Sequence, residues 1–254
     1  MKKLFLLILL TSQVQGQNSL PYKNGELLTY KVTYGLMHAG FTTLAVENAK
    51  INNKQGLHVI GKGWSVGIMD LLFPVRDNYE SYFDANTLKP QRFIRIIKEG
   101  GHTKNKETLF DFKDLKATVI NYKRQTRKDY PIHNNVKDIM MAVYYFRSLD
   151  FNKLETGEII SIDLFFDEEI HSMKIIIKGR ERIHTKFGYI NTLVIMPLVQ
   201  QGRVFKENES LIVWFSDDQN RIPVKLKASI VVGSIKMDLE EYKGLSYDFR
   251  ASFN

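Results

Sequence analysis

LIVWFSDDQNRIPVKLKASIVVGSIKMDL, residues 211–239, contains one of the chain's two tryptophans and reads as two strands around a polar turn. Leu211, Val213 and Phe215 fall on one side of an extended backbone, with Ile212 and Trp214 on the other. Apolar residues on both sides imply a strand covered on two faces. Ser216-Asp217-Asp218-Gln219-Asn220 supplies short polar side chains that bond to nearby backbone in turns. Pro223 opens the second strand, where its missing N–H does least harm. Val224, Leu226, Ala228, Ile230 and Val232 then alternate with Lys225, Lys227 and Ser229, so this strand has one wet face. After Gly233 the apolar set moves to Ile235, Met237 and Leu239, a shift of parity by one residue. A bulge or sharp bend at Gly233, inside one curved hairpin, is expected to absorb it.

The same period of two recurs outward from this segment. Leu28, Tyr30, Val32 and Tyr34 alternate with Thr29, Lys31 and Thr33, and strands are expected at 41–47, 57–62, 75–83, 92–98, 107–112 and 117–122. Further strands are expected at 159–166, from Met173 to Ile177, at 180–185 and at 190–197, with 65–73 a short helical or irregular crossing. Gly, Asn and Asp clusters separate them, and Gln200-Gln201-Gly202 and Glu207-Asn208-Glu209 punctuate the approach to 211. One principal helix is expected at about 136–149, where Ile139, Val143, Phe146 and Leu149 follow helical spacing. Asn134 or Asn135 would cap it, with Asp138 in its first turn. Met140, Met141, Tyr144 and Tyr145 make it apolar on most sides, so sheet must cover it or it lies across a barrel mouth. The expected fold is mainly β: a single curved antiparallel sheet, or an open β-barrel or half-barrel, with this one helix.

Residues 1–16 have the layout of a signal peptide: Lys2 and Lys3, an apolar run at 4–10, then Val14 and Gly16 at the cleavage positions. Seven apolar residues fall well short of the roughly 20 that a spanning helix needs. The chain is therefore read as a signal at 1–16 and one β-rich exported domain at 17–254, in the periplasm or associated with the outer membrane. With no cysteine, it is not a lipoprotein and has neither disulfides nor a thiolate metal site. Without Lys2 and Lys3 the formal charge falls from +8 to +6, a modest excess suited to an anionic envelope surface.

Landmarks spread along the chain resemble a bacterial exported family catalogued as domain of unknown function 3108. They include Gly25-Glu26-Leu27 with Tyr30, Ala39-Gly40, Val75-Arg76-Asp77 with Glu80-Ser81-Tyr82, and Leu88 with Pro90. Asp138 with Tyr144-Tyr145-Phe146-Arg147, Gly157, Gly188, Val213-Trp214-Phe215-Ser216-Asp217-Asp218, Arg221-Ile222-Pro223-Val224 and Gly233-Ser234 complete the set. The resemblance covers roughly residues 22–244. It implies a compartment and a β-rich fold, and no catalytic residue. A likeness in architecture to half-barrel carriers of lipids in the envelope does not by itself license function.

Candidate chemistry is sparse. Gly63-Trp64-Ser65-Val66-Gly67 matches G-x-S-x-G, the elbow that exposes a nucleophilic serine, but the alternating α and β elements that build an elbow are missing. The histidines His38, His58, His102, His133, His171 and His184 are dispersed and show no metal-ligand spacing. Asp167-Glu168-Glu169 and Asp217-Asp218 read as hairpin turns, and Asp218-x-Asn220 lacks the rest of a calcium loop. Lys123, Arg124, Arg127 and Lys128 form a basic loop that is either solvated or a polyanion site, with no nucleic-acid module beside it. Tyr247, Phe249, Ala251 and Phe253 alternate like the last strand of an outer-membrane barrel, although most strands here are too short and too charged for one.

The leading expectation is a non-catalytic envelope protein that holds an apolar ligand, lipid or lipid-like, in a curved sheet with 136–149 as its lid. Trp64, Met140, Tyr144, Trp214 and Phe215 are the expected lining; no metal, cofactor or nucleic acid is expected, and the protein is read as either soluble or in peripheral contact with a membrane. The alternatives are an assembly factor that binds another envelope protein along a sheet edge, and a hydrolase centred on Ser65.

Overall fold

The structure, a computed structural model, describes residues 20–51, 54–198 and 210–252. The expected signal segment, the punctuation at 200–209 and Phe253 lie outside the described residues. Strands that alternate apolar and polar positions pair with their neighbours in sequence, producing two antiparallel meanders. The first comprises β1 (Leu27–Tyr34), β2 (Met37–Ile51), β3 (Lys54–Ser65), β4 (Arg76–Asp84), β5 (Pro90–Glu99), β6 (His102–Asp111), β7 (Lys116–Asn121) and β8 (Thr126–Pro131). The second comprises β9 (Ile159–Phe166), β10 (Glu169–Thr185), β11 (Gly188–Pro197), β12 (Leu211–Ser216), β13 (Pro223–Ser229) and β14 (Ser234–Lys243). β1 pairs with β14, so the two meanders fuse into one 14-stranded sheet whose edges are β8 and β9.

Pairing alternates the ends at which the chain turns. The β1–β2 turn, the α1 helix (Gly67–Leu72) between β3 and β4, the β5–β6 turn and the β7–β8 turn share one end, here called the upper end. Tyr34 at the end of β1 faces Ile235 at the start of β14, which brings the β13–β14 turn to the same end.

α2 (Ile139–Ser148) links the two meanders and lies inside the curve. Its start is set by Asp138, whose carboxylate accepts from Met141 N–H at 2.8 Å and from the Ser81 hydroxyl at 2.6 Å. The cap is thus Asp138 itself, not Asn134 or Asn135, because the helix starts at Ile139, and Asp138, extended just before it, reaches the Met141 amide. The helix is apolar on most sides because it has sheet on both. Ala142 and Phe146 pack with Ile175, Ile195, Val213 and Phe215, while Met140, Met141 and Tyr144 pack with Val46, Val59, Phe83 and Phe93. Gly61 on β3 leaves room for this: a Cβ there would come within 2.9 Å of the Met140 methyl.

The gap between the edges is spanned by other means than a strand ladder. Lys137, just before α2, exchanges backbone hydrogen bonds with Asp163 and Phe165 of β9 at 2.8 and 2.9 Å. The β9–β10 turn reaches across to the first meander: Asp167 pairs with Arg95, and Glu168 accepts from Lys106 at 2.7 Å and from Tyr130 at 2.6 Å. The result is an open barrel, and Asp167-Glu168 is a turn whose charge ties it shut.

Three expectations change. Gly233 does not bend a continuous strand; with φ at +83° it completes a reversal between β13 and β14, in which Ile230 N–H meets Gly233 C=O at 3.2 Å. A parity shift and a chain reversal leave the same local signature. Met173 to Ile177 and 180–185 are one 17-residue strand, β10, with its register shift at Gly179. The basic stretch is a tight turn followed by edge strand β8, which carries Arg127 and Lys128. The tail at 247–252, not expected to be a barrel strand, makes one bridge between Tyr189 and Ser252 and otherwise folds back irregularly, held by Asn220 hydrogen bonds to the Tyr247 backbone at 2.9 and 3.0 Å.

Candidate functional site

Between α2 and the second meander lies a cavity of about 260 Å³. The helix contributes Ile139, Ala142, Val143 and Phe146, one stripe at spacings of three and four residues. The sheet contributes Leu44, Met173, Ile175, Ile195, Val213, Phe215, Leu226 and Met237. Polar atoms are few. The Tyr30 hydroxyl is committed to the Pro223 carbonyl at 2.8 Å, which leaves Thr42 and Lys225 as the remaining polar residues of the wall. A space walled in this way stays dry and favours an apolar guest.

Thr42 also belongs to a second, wider space of about 780 Å³ at the upper end. Val32, Tyr34, Phe41, Trp64, Met69, Phe73, Val231, Val232 and Ile235 line it. Its loops are joined to one another: Tyr34 donates to the Val232 carbonyl at 2.9 Å, Gly35 N–H to the Ser234 carbonyl at 2.9 Å, and Val66 N–H to the Ala39 carbonyl at 3.0 Å. Gly40 lets β2 and β3 close up here, since a Cβ would lie 2.0 Å from the Trp64 carbonyl oxygen.

Titratable groups gather at the edge of this groove. Burial pushes the Asp77 carboxyl up to about 7, helped by its hydrogen bond with Glu99, a residue of the groove wall. Ser65 is buried at the end of β3; it donates to Asp70 at 2.5 Å and accepts from Val75 N–H at 2.8 Å. Asp70 is held at about 2 by the Arg76 guanidinium and then by Ser65. The Ser65 hydroxyl therefore serves an aspartate and the backbone; the chain does pass from β3 into α1 just after it, but β3 is an antiparallel strand and not part of the parallel sheet on which a nucleophile elbow is built. Among the described residues no three His, Asp or Glu side chains are placed to hold a metal ion, and no helix is long and apolar enough to cross a membrane.

A family model described as a protein of unknown function, DUF3108, matches residues 29–240. The chain belongs to DUF3108. Among solved structures, it is similar to a β-barrel-like protein of domain of unknown function DUF1849 from Brucella abortus. The TM-score is 0.59 at 12% identity, over 88% of this chain and 98% of that one, so the likeness concerns the fold alone. A Bacteroides fragilis protein with a YmcC-like fold matches over the same shares at 12% identity and a TM-score of 0.32. No curated protein matches.

In this DUF3108 sheet the five residues expected as lining are distributed over three places. Phe215 is in the wall of the inner cavity and Trp64 in that of the upper groove. Met140 and Tyr144 point from the other side of α2 into the packed core, and Tyr144 is fully buried. Trp214 stands on the opposite face of β12 from Phe215, with Nε1 donating to Glu181 at 3.1 Å and Lys225 over its ring. Of the helix residues it is Ile139, Ala142, Val143 and Phe146, and not Met140 and Tyr144, that face the inner cavity. Met173, Ile175 and Ile195 gave no separate signal, since alternation says that a residue is inward and not what it meets there. Asp218 is a loop clamp, accepting from Ser216 Oγ at 2.8 Å and from the amides of Asn220 and Arg221 at 3.0 and 3.1 Å. Asp217 receives Arg180 at 2.9 Å.

Proposed function

We propose that the protein is an exported, non-catalytic carrier or receptor for a lipid-like apolar molecule, held between α2 and the inner face of the sheet. The observation that carries this reading is the apolar cavity with α2 as one wall. Ligand pockets commonly measure about 300–1,000 Å³. The inner space of about 260 Å³ alone takes a short hydrocarbon segment. A longer chain would run past Thr42 into the upper groove of about 780 Å³.

The two alternatives have less to support them. The free edge of β8 carries Arg127, Lys128 and Asp129, and charged edges discourage strand addition by a partner. A hydrolase at Ser65 would need a base, and the side chain that receives its proton is Asp70, itself committed to Arg76.

The test is organic extraction and native mass spectrometry of the purified chain, followed by binding of the probe N-phenyl-1-naphthylamine. A co-purifying apolar molecule, or saturable probe binding abolished by Val143→Trp, is the expected result. A ligand-free chain whose probe signal is the same in wild type and Val143→Trp would sink the reading.

A further inference from the structure

The upper end is unusual in what its turns expose. Leu36 at the β1–β2 turn is fully exposed; on α1, Leu71 is 83% and Leu72 71% exposed; at the β13–β14 turn, Val232 is 70% exposed. Turn tips in water are normally polar, and a contiguous exposed apolar patch marks a surface that something else covers. These three tips belong together, because the groove that opens at this end is bordered by Tyr34, Met69, Phe73 and Val232. At the lower end the exposed large apolar residues, such as Leu115 and Tyr242, are scattered singly.

Beneath the tips sits a collar of cations. Lys227 and Lys236 are directly opposite one another on β13 and β14, two to four residues from the turn, and among the described residues neither has an ion-pair partner. Like charges so placed cost stability, and an anionic surface would offset that cost. Lys227 is exposed and Lys236 half-buried, and Lys62, Lys98, Lys123 and Arg124 are exposed at the same end. Several carboxylates near them are paired with cations, Asp70 with Arg76, Asp167 with Arg95 and Glu168 with Lys106; Asp77 shares a hydrogen bond with Glu99, and Asp238 stands across from Lys225, so the cations outnumber the carboxylates left over.

We infer that the upper end docks on an anionic lipid bilayer, with Leu36, Leu71, Leu72 and Val232 entering the interface and the lysine collar facing the headgroups. A second copy of this chain is the poorer occupant, because two upper ends would bring two cationic collars together. Docking in this way sets the open groove against the acyl region. Only that purpose rests on the proposed carrier function; the docking itself does not.

The experiment uses vesicles of phosphatidylcholine with and without phosphatidylglycerol, and the whole chain. Since the protein has no cysteine, single Leu72→Cys, Val232→Cys and Leu115→Cys variants can each carry one nitrobenzoxadiazole label. On anionic vesicles the labels at 72 and 232 should shift to the blue while the label at 115 keeps its aqueous emission. This readout is independent of the apolar run at 4–10, which every variant retains. Lys227→Gln with Lys236→Gln should weaken the partition at low salt by roughly 30-fold, from about 1 kcal/mol per basic residue near an anionic surface. Labels at 72 and 232 that stay aqueous on every vesicle, or that respond only on self-association into a dimer, would overturn the inference. Probe binding by the inner cavity should survive Leu36→Asp and Leu72→Asp, at two exposed residues that line neither space, so a failure of docking is distinguishable from a failure of the carrier function.

Discussion

Arg147 and Glu26 stand 121 positions apart in the chain and meet as a two-pronged ion pair with neither side chain exposed. The Nη1–Oε1 and Nη2–Oε2 distances are 2.6 and 2.8 Å, and Nη2 also donates to the Asn220 carbonyl at 3.0 Å. The rings of Tyr22 and Tyr144 each lie 5.1 Å from the guanidinium. One cluster thus fastens the entry to β1, the end of α2 and the β12–β13 turn. Removing one partner strands a charge in the core, at a cost of about 3–5 kcal/mol. Urea unfolding should show that loss in Glu26→Gln and in Arg147→Met, with the double variant well short of their sum. Additive losses would mean that packing, not pairing, is what the site contributes.

Asp138 carries a pH dependence. Burial pushes its carboxyl up to about 6, against the hydrogen bonds from Ser81 and Met141. An unfolded aspartate titrates near ~3.9, so the folded protein holds this proton longer. The stability from the group is full below about pH 4 and is lost as pH rises through about 6. Asn at 138 keeps an acceptor for the cap and does not titrate. Melting temperatures from pH 4 to pH 8 should therefore show wild type losing ground to Asp138→Asn across that window, and a constant difference would refute the assignment.

The cavity makes an unusual prediction for a core substitution. Ala142 is 2% exposed, and a larger residue at such a position ordinarily overpacks by about 1–3 kcal/mol. Here the side chain would enter empty apolar space, where each buried methylene contributes about 0.8 kcal/mol. Ala142→Met should hold or raise the melting temperature of the ligand-free chain while lowering its probe affinity. A clear loss of stability would indicate that the space is filled in solution.

Two neighbouring glycines should behave in opposite ways. A Cβ at Gly40 would meet the Trp64 carbonyl oxygen at 2.0 Å, whereas at Gly63 the nearest atom is Thr42 Oγ1 at 3.8 Å. Neither strand can give way alone, because β2 and β3 are paired continuously from Gly40–Ser65 to Ile51–Lys54. Gly40→Ala should cost at least about 1–3 kcal/mol, as overpacking does, and Gly63→Ala close to nothing. Chemical denaturation of both variants checks the pair.

What the sequence alone determined is everything that a local period can carry. Ile159–Phe166 is a strand with the boundaries its alternation implies, and α2 lies within the stretch marked by Ile139, Val143 and Phe146. Strand and helix periods are properties of neighbouring residues, so they survive without knowledge of the rest. Tertiary structure decided the partners. Leu27 finds Lys243, Arg147 finds Glu26, and Asp167 crosses to Arg95, none of which any spacing announces. It also decided that the chain reverses at Gly233, which placed Val231 and Val232 on an exposed tip. Likewise it set the stripe of Ile139, Ala142, Val143 and Phe146, and not Met140 and Tyr144, against the cavity. Alternation records on which side a residue lies; what stands across from it depends on how the whole sheet curls and closes, and that is a property of the assembled chain.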